Sequence, residues 1–143
     1  MSEGLIFTFE RGQEFRAEFL PQAAPETIRS MTESLPLEKT VFHTRWCGRE
    51  INVPLVSSRL PIRENQTSTA GFGDVIYWRE WDIEQDPQEA LGIYYGPELI
   101  RHHSGFLQVN LFARVPQEQW PIIEEVGLRV WQKGVEQVQI RVG

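Results

Sequence analysis

The sequence predicts a mainly β protein, an antiparallel sheet of about eight strands closed into a barrel with a helix capping each end. Short alternating segments rich in Phe, Val, Ile and Thr recur along the 143 residues, separated by turn residues. Only two stretches carry helical spacing, and each has a proline where a first turn would lie. Closing such a sheet removes the unpaired edges that many short strands would otherwise expose.

Leu5 to Glu10 alternates and reads as a strand, Arg11-Gly12 as a turn, and Glu14 to Leu20 as the returning strand. Pro25 and Glu26 then open a helix whose apolar residues are Ile28, Met31 and Leu35, with Pro36 as its stop. Thr40 to Cys47 is expected as the next strand, and Glu50 to Leu55 as a short one. Val56 to Phe72 is polar, punctuated by proline and glycine, and reads as loop. Val75 to Trp78, Leu91 to Tyr95 and Leu107 to Val115 follow as strands, with the acidic connection 79–90 between the first two. A second helix is expected within Gln117 to Lys133, with Pro121 in its first turn, an apolar face of Ile123, Val126 and Val130, and Gly134 as its cap. Val138 to Val142 closes the chain as a strand.

Composition bounds the function. Hydrophobic residues make up 41% and charged residues 24%, as in a globular chain, and the length suits one domain spanning 1–143. The formal net charge of −6 has no basic stripe to offset it, which argues against nucleic acid and anionic membranes as partners. No apolar run approaches the roughly 20 residues that span a bilayer. The opening "MSEGLIFTFE" lacks a basic n-region, so a cytoplasmic location is expected. Cys47 is the single cysteine and excludes an intrachain disulfide. Self-association into a homodimer is left open.

Several motifs together point to a family. "FLPQAAPETIRSM" is similar to the cyclophilin segment in which a strand leads to an A/V-P-x-T helix. "TVFHTRWCG" resembles the x-F-H-R stretch, and "VNLFARVPQEQWPIIEEV" resembles the late strand and its following helix. Closer still is a bacterial family of small uncharacterised cyclophilin-like proteins. Its pattern is met here by His43, Arg45, Trp46 and Gly48, then Glu64, Asn65, Gln66 and Thr67, then Gly73-Asp74, Tyr95-Gly96, and Asn110, Phe112 and Ala113. The resemblance covers nearly the whole chain in the right order. It implies a closed cyclophilin-like antiparallel β-barrel and assigns no activity. Proline isomerases place an arginine directly after Phe-His, where this chain has Thr44, and "GREINVPL" replaces their Q-G-G-D stretch. A one-residue slip in a strand turns a side chain to the other face, so peptidyl-prolyl isomerase activity is not expected.

On a strand from Thr40 to Cys47, His43 and Arg45 would share one face. Glu64 is the carboxylate that the family pattern brings nearest to them. The candidate pocket is therefore His43, Arg45, Glu64, Asn65, Tyr95 and Asn110. Arginine's planar fork suits a carboxylate or carbonyl, so the expected ligand is a small polar, anionic or carbonyl-bearing metabolite. A hydrolase or isomerase using His43 and Glu64 as acid and base is the catalytic alternative. A protein-interaction module using the acidic loop 79–90 or a sheet edge is a third reading. Each candidate also has a structural role open to it: Glu64 could tie the 56–72 loop to the sheet, and Asn110 could fix the barrel. His102 and His103, beside Arg101, could form a lid. With His43 and Cys47 they match no metal-ligand spacing, so neither metal nor cofactor is expected. Cys47 reads as a small buried thiol, and Trp81 as the most exposed of the five tryptophans.

Overall fold

The computed structural model describes residues 3–143. Eight strands build the barrel: β1 (Gly4–Phe9), β2 (Glu14–Phe19), β3 (Leu37–His43), β4 (Glu50–Pro54), β5 (Asp74–Arg79), β6 (Glu89–Tyr94), β7 (Val109–Arg114) and β8 (Glu136–Val142). Every pairing is antiparallel, in the order β2-β1-β8-β3-β4-β6-β5-β7. The sheet closes where Phe19 pairs with Ala113 and Glu18 with Arg114. The architecture implied by the resemblance is present.

Alternation fills the barrel. Leu5, Phe7, Phe15, Val41, Ile51, Val53, Val75, Leu91, Ile93, Val138 and Ile140 are all buried in one core. A bulge in β7 sets Leu111 opposite Ile76 and Ala113 opposite Val75, so Phe112 is the extra residue and both Phe112 and Ala113 join the core. α1 (Pro25–Ser34) closes one end with Thr27, Ser30 and Met31 buried. α2 (Trp120–Lys133) follows a 3₁₀ turn at Gln117–Gln119 and closes the other end with Ile123, Val126, Gly127 and Val130. At Gly127 a side chain would collide with the Tyr95 ring, so the glycine lets helix and barrel meet.

Two expectations need correction. β3 begins at Leu37 and stops at His43, and residues 44–49 form an irregular segment instead of continuing the strand. The break follows from pairing. β4 reaches back only as far as His43, which faces Ile51, and Gly48 takes a φ of 65° in the connection. Trp81 is only partly exposed, because the Arg63 and Arg79 guanidiniums lie 5.1 and 5.3 Å from its ring centre and its Nε1 donates to the Gln108 carbonyl at 2.9 Å. The exposed tryptophans are Trp131 and Trp46.

Candidate functional site in an outer cavity

The six residues expected to form one pocket do not gather in one place. His43 turns with Ile51 toward the end of the barrel under α2. Its Nδ1 donates to the Thr44 carbonyl at 3.0 Å and its Nε2 accepts from the Tyr95 hydroxyl at 2.5 Å. The Trp131 ring of α2 packs on it at 4.9 Å. Burial lowers the His43 pKa against the opposing pull of the Thr44 carbonyl.

Asn110 lies at the opposite end, facing inward beside α1. Its Oδ1 accepts from the Glu64 amide at 3.0 Å and from Gln66 Nε2 at 3.1 Å. Its Nδ2 donates to Thr27 Oγ1 at 2.9 Å and to the Ile62 carbonyl at 2.8 Å. Glu64 accepts from the Thr27 amide and hydroxyl at 2.5 and 2.7 Å, filling the first turn of α1 where no side-chain cap exists. Asn65 Nδ2 donates to the Leu111 carbonyl at 2.7 Å. Glu64, Asn65 and Asn110 thus tie the 56–72 loop and α1 to the barrel. His43 and Glu64 do not meet. Arg45 is exposed on the outer surface and makes no hydrogen bond or ion pair among the described residues, and it lines one cavity together with His43.

A cavity of about 570 Å³ lies outside the barrel, on the outer face of β4, β6, β5 and β7. That is the size of a small-molecule site. The register lays Asn52, Gly92, Ile76 and Leu111 in one row across this face, with Trp78 opposite Ala90 in the next. Two segments roof it: residues 44–49, and residues 99–107 with their hairpin of Arg101–His102 against Gly105–Phe106. They are clasped to each other. Cys47 Sγ donates to the Arg101 carbonyl at 2.7 Å, Arg101 Nε donates to the Trp46 carbonyl at 3.1 Å, and Arg49 pairs with Glu98 at 2.7 Å. His102 stacks on Trp78 at 5.7 Å and touches the His103 ring at 3.9 Å. Of the two histidines in this loop, His102 lines the cavity. Arg45, Trp46 and Phe42 stand at its rim.

At one end of the cavity lies a group that the sequence reading passed over. Glu50 begins β4 and is 3% exposed, with no cation paired to it among the described residues. Burial pushes its carboxyl up to about 8, against the opposing influence of the Tyr94, Cys47 and Thr44 side chains beside it. Glu50 is therefore mostly a neutral acid at neutral pH. Burial, and then the Glu50 charge, also raise the Tyr94 hydroxyl and the Cys47 thiol. The Tyr94 hydroxyl and Thr44 Oγ1 are buried, and the Glu50 carboxyl is the group they hydrogen-bond to; neither has another partner among the described residues. All of these residues line the cavity. Room for the acid comes from Gly92: a side chain there would collide with the Glu50 carboxylate. The readable signal was a glycine in the middle of an apolar strand, which marks a close approach. What approaches it is decided by the β4–β6 register.

Residues 8–142 match the model of a family described as "Protein of unknown function (DUF3830)". The chain belongs to that family. No curated protein matches the chain in sequence. Among solved structures it is similar to McbB in complex with tryptophan, with a TM-score of 0.71 and 17% identity over 96% of this chain. It spans only 44% of the McbB chain. It is also similar to the solution structure of the hypothetical protein AF2241 from Archaeoglobus fulgidus, with a TM-score of 0.59 and 19% identity over 98% of this chain and 94% of that one. At such identities the likeness shows the fold. No described helix of this DUF3830 protein is long and apolar enough to cross a membrane.

Proposed function

We propose that this DUF3830 protein binds a small carbonyl- or carboxylate-bearing molecule in the outer cavity. One observation carries the reading: a buried carboxyl with no counter-ion among the described residues, ringed by the Tyr94, Cys47 and Thr44 side chains that hydrogen-bond to it, lies in the wall of one cavity. Burying a carboxyl without a counter-ion is costly, and such a cost is tolerated chiefly at functional sites. The Tyr94 hydroxyl and the neutral Glu50 carboxyl are donors suited to a carbonyl oxygen. Arg45, charged at the rim and unpaired among the described residues, suits a carboxylate. The walls between them, Ile76, Trp78, Leu107 and Val109, suit an apolar body. McbB holds tryptophan, a flat ring with a carboxylate, but at 17% identity the proposal rests on the cavity's own residues.

The test is a thermal-shift screen of mono- and dicarboxylates, amides and cyclic imides. A ligand at about 100 times its Kd adds roughly 2.7 kcal/mol and raises the Tm by on the order of 5–15 °C. The shift should shrink in Arg45→Ala and Tyr94→Phe. Hits that are mainly cations or hydrocarbons, or that survive both substitutions, would overturn the reading. A second reading, a protein-binding surface, draws on Phe42, Trp46 and Val56, which are 44, 50 and 80% exposed and all line the cavity. A screen without hits, together with loss of a partner protein on Trp46→Ala, would favour it.

A further inference from the structure

The binding reading leaves one feature unused. Recognising a carbonyl needs donors, and serine or asparagine would supply them without a buried acid. Glu50 has no arginine or lysine against it, and the groups around it are neutral: Tyr94, Cys47 and Thr44. Gly92 gives up a side chain to make room for it. A buried carboxyl with neutral hydrogen-bonding neighbours and no counter-ion is poised to exchange a proton with whatever the cavity holds.

We propose that Glu50 is a catalytic acid–base residue that moves a proton between carbon and oxygen of a carbonyl compound bound in this cavity, with Tyr94 as the donor to the carbonyl oxygen. The inference rests on the binding reading and names its substrate class: a flat carbonyl acid with a hydrogen on the carbon next to the carbonyl. In the reaction the Glu50 carboxylate takes that proton. The C–H bond breaks and an O–H bond forms on Glu50. The freed electron pair moves through the new C=C bond onto the carbonyl oxygen, where the Tyr94 hydroxyl stabilises the enolate by hydrogen bonding. Glu50 then returns a proton, the one it took or one it has exchanged with solvent, to the oxygen, to the same carbon or to another carbon of the enolate, and is restored as carboxylate. The net change is an isomerisation that consumes no oxidant, reductant or water. Its reverse begins from the protonated acid, the form favoured at neutral pH by burial. Trp78, with His102 stacked on it, offers the ring of such a substrate a flat wall, and Arg45 at the rim offers its carboxylate a partner.

Phenylpyruvate is the probe, because it carries the ring, the carboxylate, the carbonyl and the acidic C–H. Its binding is read by quenching of tryptophan fluorescence. Its turnover is read as keto–enol interconversion by ultraviolet absorbance and as exchange of its methylene protons in D₂O by NMR, each against a buffer control. The expected result is saturable binding and exchange at least 100-fold above buffer, with exchange falling at least 100-fold in Glu50→Gln while the Kd changes less than 10-fold. Tyr94→Phe should lower exchange about 10- to 100-fold. Glu50→Asp serves as a second variant in case Gln perturbs the fold, and should retain part of the activity. The forward rate should rise with pH as the Glu50 carboxylate forms. Binding without exchange between pH 6 and 9 would overturn the catalytic inference and leave the binding reading standing. Exchange unchanged in folded Glu50→Gln would overturn the role of Glu50. Absence of phenylpyruvate binding would overturn the substrate class and the inference with it, and absence of every ligand in the screen would overturn the binding reading as well.

Discussion

The Glu50 carboxyl stands over Gly92, in the volume that a side chain on Gly92 would fill. The two are neighbours because Asn52 pairs with Gly92 and Glu50 with Tyr94 across β4 and β6. Gly92→Ala should therefore destabilise the protein by about 1–3 kcal/mol through overpacking. In a Glu50→Ala background the same substitution should cost little. A double-mutant cycle by chemical denaturation should give a coupling of at least ~1 kcal/mol, and additive effects would show that the two do not compete for that space.

Burying Glu50 should make stability depend on pH in a definite direction. Unfolded, its carboxyl ionises near 4.5, and folded it holds its proton up to about 8. Between those values the folded state binds more protons than the unfolded state, so stability falls as pH rises through that window. The loss approaches about 5 kcal/mol at its upper end. Glu50→Gln should match the parent near pH 4.5 and exceed it in Tm at pH 8. A variant no more stable than the parent at pH 8 would show that the carboxyl is compensated in a way the geometry does not reveal.

Asn110 saturates both ends of its amide within the barrel. Asn110→Ala should cost about 2–4 kcal/mol, because the Glu64 amide, Thr27 and the Ile62 carbonyl lose partners together. Urea titration measures it. Ligand-induced shifts of the outer cavity, scaled to the lower starting Tm, should persist in this variant if it still folds.

His43 and Arg45 should behave differently when truncated. Arg45→Ala removes an exposed side chain and should change stability by less than about 0.5 kcal/mol. His43→Ala empties the space between Tyr95 and Trp131 and should cost about 1–3 kcal/mol. Because burial depresses the His43 pKa, its contribution is present above about 6.5 and is lost as pH falls below it. Equal costs for the two variants by urea denaturation would contradict their different placement.

No acceleration of X-Pro isomerisation is expected in a coupled-protease assay. Arg45 belongs to an irregular rim segment and has no Q-G-G-D stretch to accompany it. A rate above the heat-inactivated control that disappears in Arg45→Ala would refute this.

The barrel was legible in the sequence because alternation is a local signal. Phe7 and Phe9, Ile51 and Val53, Val138 and Ile140 point inward by strand parity alone, and a two-residue period fixes their face whatever they pair with. The helix boundaries were legible for a similar reason, since Pro25, Pro121 and Gly134 act on the backbone where they stand. The site was not legible in this way. His43, Arg45, Glu64, Asn65, Tyr95 and Asn110 appeared in one family pattern, and a pattern carries order along the chain but not direction in space. Barrel closure set His43 against Tyr95 at the α2 end while leaving it in the wall of the outer cavity with Arg45, and sent Glu64, Asn65 and Asn110 to the α1 end. Glu50 became notable only through partners 42 and 44 residues away, Gly92 and Tyr94, which the register of β4 on β6 supplies. Whether a carboxyl is a solvated charge or a buried acid depends on how much water the tertiary structure removes from around it, and no local pattern encodes that.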